Sequence, residues 1–203
     1  MAKRNVFAEI IAAPFRWPTA GDEAFLPAKN PIDDALIEEN DFVRLTLMIE
    51  GYKQAAELAV SKSTEDRFMR DFLVYPAIFN YRHFIELSLK HLIATYGPLV
   101  GVEAIWNSHD LEKLWKSFTQ VLERFGTADP DDADPIVASI VAEFAKIDPR
   151  SDAYRYPKDQ NGNPLPRTFS RADLENLADV MQAVSGYFSG CDGYLSELAH
   201  ATE

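Results

Sequence analysis

The sequence predicts an all-α protein, a helical bundle of about five helices around a central buried helix, with one ordered late loop or small hairpin. Two observations carry this. Over most of the 203 residues the apolar side chains recur at three- and four-residue steps, the spacing of a helix face. One stretch, residues 65–96, is apolar on every side. Phe68, Phe72, Tyr75 and Phe79 make one line, Val74, Ile78, Tyr81, Ile85 and Leu92 a second, and Leu73, Ala77, Phe84 and Leu87 a third. A helix without a polar face belongs inside a protein. With 47% hydrophobic and 12% aromatic residues the chain reads as folded, and its length suits one domain over 1–203.

The elements follow in order. Residues 1–31 carry Pro14, Pro18, Pro27 and Pro31, which forbid a long helix, with Phe7, Phe15, Trp17 and Phe25 between them. They read as an extended arm laid on a bundle of residues 32–200. Pro31 and Asp33 open a first helix to about residue 60, with Leu36, Ile37, Phe42, Leu45, Met48, Ile49, Tyr52, Ala56 and Leu58 as its core face. Ser63 or Thr64 caps the central helix, Pro76 kinks it, and Gly97-Pro98 ends it. A third helix runs from about 110 to 125, capped by Ser108 or His109, and a fourth from 134 to 147 after the acidic stretch 128–135. Four prolines and an Asn161-Gly162 turn make 148–169 a long loop, with a small hairpin pairing about 153–157 with 165–169. Ser170 and Asp173 open a last helix to about 200, on which Gly186, Gly190 and Gly193 share one side. Glycine weakens a helix, so those three predict the close approach of another backbone, from this chain or from a second copy in a homodimer.

Composition bounds the function. No apolar run is long enough for a membrane span, and the apolar stretch at the start, interrupted by Glu9, is too brief for a secretion signal. One cysteine, Cys191, excludes an internal disulfide and reads as a packing residue in a reducing cytoplasm. The net charge of −12 makes duplex nucleic acid an unlikely partner, because its phosphates would be repelled. Positive charge collects in two places, residues 51–100 at +1 and 153–171 at +3. If they meet, they form a local site for an anion.

The chemistry-bearing residues sit there. Asn80, Arg82, His83, Glu86 and Lys90 lie in the apolar half of the central helix, with Arg82, Glu86 and Lys90 on one stripe at steps of four. Buried charges are costly unless paired, so this seam needs partners from the chain or from a ligand. In one reading it is a pocket where Arg82 binds an anion and His83 moves a proton; in the other it is an ion pair that fixes helix packing. His109 either caps the third helix or joins His83. In the late loop Asp152, Tyr154, Arg155 and Tyr156 have the composition to close over a nucleotide, Arg to phosphate and Tyr to base. The four histidines lack metal-site spacing, and no phosphate-binding or dinucleotide glycine loop occurs, so no metal and no cofactor is expected.

The succession YPAIFNYRHFIELSLKHLI, then HDLEKLW, then DPRSDAYRYPKDQNGN, resembles a group of bacterial HEPN-like proteins over roughly residues 65–165. The resemblance implies an up-and-down helical bundle, often dimeric, of the kind found in toxin–antitoxin and phage-defence systems. Ribonuclease members of that group carry an Arg followed a few residues later by a His. Here Arg82 is followed at once by His83 and then only by His91. Two expectations result. The first is a HEPN-like nucleotide- or RNA-binding protein, with Arg82, His83, Glu86 and His109 as its catalytic set and Asn80, Lys90, Asp152, Tyr154, Arg155 and Tyr156 as its ligand-binding set. The second is a non-catalytic helical dimerisation module whose seam is structural.

Overall fold

The computed structural model describes residues 16, 18–126, 133–165 and 168–201. Phe7, Pro14, Phe15 and Trp17 of the expected arm lie outside the described residues, as does most of the acidic stretch 128–135. The chain divides into two compact units, Met1–Ile37 and Glu38–Glu203.

In the first unit the Asp22 carboxylate accepts the amide and hydroxyl of Thr19 and pairs with Arg16. Asn30 caps a single 3-10 turn, Pro31–Asp33, after which the backbone is extended. The helix expected to open at Pro31 or Asp33 therefore does not form there. Leu36 and Ile37, expected in a core, are exposed.

The second unit is all helix and loop: α1 (Asp41–Glu65), α2 (Arg70–Tyr96), α3 (Leu111–Phe125), α4 (Ala133–Ile147) and α5 (Leu174–Ala201). No strand occurs among the described residues, and no helix there is long and apolar enough to cross a membrane. Caps, more than propensity, set the boundaries. Asn40 accepts from the amides of Phe42 and Val43, so α1 begins at Asp41. Asp66, not Ser63 or Thr64, caps the turn that leads into α2, because both hydroxyls bond back to α1 carbonyls. Asp110 caps α3 in place of Ser108 or His109, and Asp173 caps α5 in place of Ser170. In each case the carboxylate is the stronger acceptor for the first-turn amides.

α2 is the central helix, continuous through Pro76. Pro76 deprives only the Phe72 carbonyl of its donor, and Phe72 is exposed, so water can serve that carbonyl. The fully buried residues of α2 fall between Ala77 and Tyr96, with Phe79, Asn80, His83, His91, Ala94 and Thr95 only half-buried among them; Tyr75, which borders an open cleft, is exposed, as are Phe72 and, in the turn before α2, Phe68. α1 meets α2 through small residues, Ala56, Ala59 and Ser63 with Val60, which lets the two backbones lie close. Phe42, Met48 and Leu58, expected on the core face of α1, are exposed in consequence. The core faces of α3 and α5 are as the spacing predicts, with Leu111, Leu114, Phe118, Val121, Met181, Val184 and Phe188 buried. On α4 Val137, Val141 and Phe144 are buried and Ile136 is exposed.

α2 gives way to a 3-10 turn, Gly97–Val100, in which a side chain at Gly97 would have its Cβ 2.6 Å from the Val102 carbonyl oxygen. Of the expected 153–157/165–169 hairpin the structure shows the inner end, where the Leu165 amide donates to the Pro157 carbonyl at 3.2 Å; residues 166 and 167 lie outside the described residues. Lys158 bridges Pro164, and the Asp159 carboxylate accepts the amides of Asn161 and Asn163. The Asp159 side chain holds the turn, and the Asn163 amide bond keeps its carboxyl below the usual range. Gly186, Gly190 and Gly193 are exposed, with nothing within 4 Å of an added Cβ, so they admit no other helix of this chain.

Candidate functional site

Arg82, Glu86 and Lys90 are buried on one stripe of α2, at 0%, 1% and 5% exposure. Two basic and two acidic side chains meet there, because Asp148, the first residue after α4 and itself fully buried, completes the group. Arg82 Nη1 donates to Glu86 Oε2 at 2.9 Å and its Nε to the Asp148 carbonyl at 2.8 Å. Its Nη2 donates to the His109 carbonyl at 2.7 Å. Lys90 Nζ donates to Glu86 Oε1 at 2.8 Å and to the Trp106 carbonyl at 3.1 Å. His109 Nδ1 lies 2.8 Å from Glu86 Oε1, and its ring is the exposed edge of the network. Burial alone would raise the Glu86 carboxyl, but Lys90 and His109 outweigh it and hold the group below its ordinary value.

The network does mechanical work. Three of its acceptors are carbonyls of irregular chain: Trp106 and His109 in the α2–α3 connector, and Asp148 at the start of the late loop. The cations thereby fasten both segments to α2. Asp148 continues outward, its Oδ1 accepting the amides of Asp152 at 2.8 Å and Ala153 at 3.0 Å. Ser151, buried at the turn, has φ of 60°, a left-handed conformation that serine rarely adopts. Its carbonyl accepts from Arg155 Nε at 2.6 Å, and the Arg155 guanidinium stands 5.2 Å from the Phe79 ring centre on α2. The late loop is thus ordered against the central helix.

The structure brings Arg82, Glu86, Lys90 and His109 together and leaves His83 apart. His83 projects on the side of α1, edge-on to Tyr52 at 4.4 Å and stacked on Phe79 at 5.7 Å. Its Nδ1 is buried without a hydrogen bond, and burial pushes the ring's pKa down. Neighbouring positions on a helix point about 100° apart, which is why Arg82 and His83 cannot share a site. The expected His83–His109 meeting is replaced by the bond from His109 to Glu86. Among the described residues no hydrogen bond joins the side chain of Asp152 or Arg155 to Arg82, Glu86 or Lys90. Asp152 pairs with Arg150, and Arg155 turns its face to Phe79 and to Tyr156, which is exposed. Asn80 is half-buried on α2. Asp148 is the residue that sequence reasoning omitted; a demand for a buried acid beside Arg82, at the end of the α4 pattern, was the available signal.

A cleft of about 990 Å³ lies against the first turns of α2, the late loop and the start of α5. Tyr75, Tyr154 and Phe169 supply rings, the last two stacked at 6.2 Å with 23° between planes. Burial, with the charge of Asp148 and then Tyr75 adding to it, pushes the Tyr154 phenol up to about 12, so it stays protonated as a hydrogen-bond donor. Arg70 and Arg171 bring cations, and Asp71 and Glu175 carboxylates. Arg70 is held by the Ser63 carbonyl and lies 3.9 Å from Glu175, whereas Arg171 makes no ion pair among the described residues. No three His, Cys, Asp or Glu side chains among the described residues are grouped to hold a metal ion. Compared with protein-family models, with curated proteins and with solved structures, the chain matches none.

Proposed function

We propose that this protein binds a nucleotide, or the terminal nucleotide of a short RNA, in that cleft, and that its buried charge network is a structural post and not a reaction centre. The observation that carries the reading is the lining of the cleft. Ring faces stand beside Arg171, which makes no ion pair among the described residues, and beside carboxylates that accept hydrogen bonds, and a nucleotide has a complement for each. A base stacks on Tyr75 or Phe169, a phosphate meets Arg171, and ribose hydroxyls or exocyclic amines donate to Asp71. The volume lies within the range of roughly 300–1,000 Å³ that small-ligand sites occupy. Asp173 already takes the first amides of α5, so the phosphate belongs to the arginines and not to that helix end. The resemblance to HEPN-like bundles of toxin and phage-defence systems agrees with such a ligand.

In this reading Arg82 acts at a distance: it grips the Asp148 carbonyl, and the Asp148 carboxylate holds the turn that delivers Tyr154 to the cleft. Ribonuclease action is left out because three donors of Arg82 are committed inside the fold and His83 faces α1. Calorimetric titration with AMP, GMP, CMP and UMP, beside adenosine and inorganic phosphate, tests the proposal. A nucleoside monophosphate binds at least tenfold more tightly than adenosine or phosphate alone, and Arg171→Ala or Phe169→Ala removes tenfold or more of that affinity. Absence of binding at millimolar nucleotide, or affinity indifferent to both substitutions, overturns it.

A further inference from the structure

We infer that a second, smaller cavity, enclosed by α1, α2 and α5, binds the primary ammonium group of a small amine or amino acid. Ile49 and Lys53 of α1, Ser88 and His91 of α2, and Ser185 and Asp192 of α5 line it, spaced three, four or seven residues apart, so one face of each helix turns inward. The cavity measures about 200 Å³ and shares no lining residue with the larger cleft. That is space for about six waters at roughly 30 Å³ each, or for a ligand of a few heavy atoms.

Two buried polar atoms of this lining lack a partner. Ser88 is 4% exposed, and its hydroxyl makes no hydrogen bond. A hydroxyl inside a helix commonly turns back to a carbonyl of the preceding turn, as those of Thr46, Ser63 and Thr64 do in this protein. The Ser88 hydroxyl does not. Nδ1 of His91 is likewise buried without a bond, while Nε2 stands 3.6 Å from Asp192 Oδ1. The carboxylate favours the tautomer with its proton on Nε2, which leaves Nδ1 an acceptor.

Charge and donor count select the ligand. Lys53 pairs with Glu50 at 3.0 Å, whereas Asp192 Oδ1 has the neutral Tyr96 hydroxyl at 2.8 Å and the His91 ring, with no Lys or Arg paired to it among the described residues. The Asp192 carboxylate, Ser88 Oγ and His91 Nδ1 are three acceptors, and a primary ammonium brings three donors and a positive charge. Phe84, Leu92 and Phe188 give its carbon chain an apolar wall. A simple anion is repelled by Asp192 and by Glu50. Two turns of α5, about 10 Å along its axis, separate Asp192 from Ser185, which Lys53 approaches at 3.5 Å. An amino acid with its ammonium at Asp192 therefore meets a cation for its carboxylate at the far end of the cavity.

Calorimetric titration of the full chain with butylamine, γ-aminobutyrate and butyrate, which share one carbon-chain length, tests the inference. At least one of the two amines binds tenfold or more tightly than butyrate. Tighter binding of γ-aminobutyrate assigns the site to amino acids, with Lys53 on the carboxylate; equal or tighter binding of butylamine assigns it to simple amines. Asp192→Asn, which keeps an oxygen for the Tyr96 hydroxyl, and Ser88→Ala each remove tenfold or more of that affinity. Thermal melts separate a ligand role from a structural one. Without ligand, Ser88→Ala melts at or above the wild-type temperature, because it removes a buried hydroxyl that has no partner. No binding of either amine at millimolar concentration, butyrate bound as tightly as both, affinity indifferent to Asp192→Asn, or Ser88→Ala melting below the wild type overturns the proposal.

Discussion

Removing the Asp148 carboxylate probes how the buried network reaches the surface. In Asp148→Ala the backbone carbonyl that receives Arg82 Nε stays, so beyond the 3.7 Å ion pair of Oδ2 with Arg82 Nε the loss falls on the two amides that Oδ1 collects, those of Asp152 and Ala153. A hydrogen bond to a charged group is worth about 1.5–3 kcal/mol. Both residues are half-buried and recover part of this from water, which leaves a net loss of about 2–4 kcal/mol for the pair. At about 2–4 °C per kcal/mol for a chain of this size, the melting temperature falls by about 4–16 °C. Hydrogen exchange then quickens at residues 151–156, while the α2 amides from Ala77 to Tyr96 are slowed as before. Asp152→Ala is the control: its partner Arg150 is exposed, and such a pair is worth no more than about 1 kcal/mol. If Asp148→Ala costs less than its control, or exchange in the loop is unchanged, the loop is held by something other than Asp148.

Two further outcomes follow from the same structure. Stability falls on the acid side in two limbs. The folded value for His83 lies below its ordinary 6.5, so the unfolded chain takes the proton first, and stability is lost as pH drops from 6.5 through the folded value. Glu86, depressed below 4.5, contributes stability that is present above that pH and lost as pH drops through its folded value. Urea unfolding from pH 8 to pH 3 reads both limbs, and His83→Leu abolishes only the first. Gly186→Ala, Gly190→Ala and Gly193→Ala meet no neighbour, and each raises stability by up to about 1 kcal/mol through helix propensity. Thermal melts that show a loss instead place a second backbone on that face of α5.

Much of this structure was legible in the sequence, because apolar spacing reports directly on which face is buried. The five-helix count, the central position of α2 and the core faces of α3 and α5 follow from it. Capping was misread where a hydroxyl and a carboxylate lay close together, as with Ser63 and Asp66 or Ser170 and Asp173, since spacing does not say which side chain reaches the amides. α1 was misread for a different reason. Its buried face is mostly alanine and serine, with Val60 the one large apolar residue, while Phe42, Met48 and Leu58 point outward. The stripe Arg82, Glu86, Lys90 was legible as a seam in need of partners. Those partners were not, because three are backbone carbonyls, which any sequence supplies, and one is an acid 66 residues from Arg82. The cleft depends on three separate segments meeting, and no local pattern announces that.

The claim that the buried charges form one internal structural unit is tested most directly by a double-mutant cycle in urea on Arg82→Met and Glu86→Gln. Side chains in direct contact within a buried network show coupling of about 0.5–3 kcal/mol. With Arg82 Nη1 2.9 Å from Glu86 Oε2 and both groups fully buried, the account predicts a value in the upper half of that range. Each single loss on its own is expected to be large, about 3–5 kcal/mol where a buried charge is left unpaired, less for Arg82→Met because Lys90 and His109 still serve Glu86. Losses that simply add to within about 0.5 kcal/mol, in variants that remain folded, would contradict it.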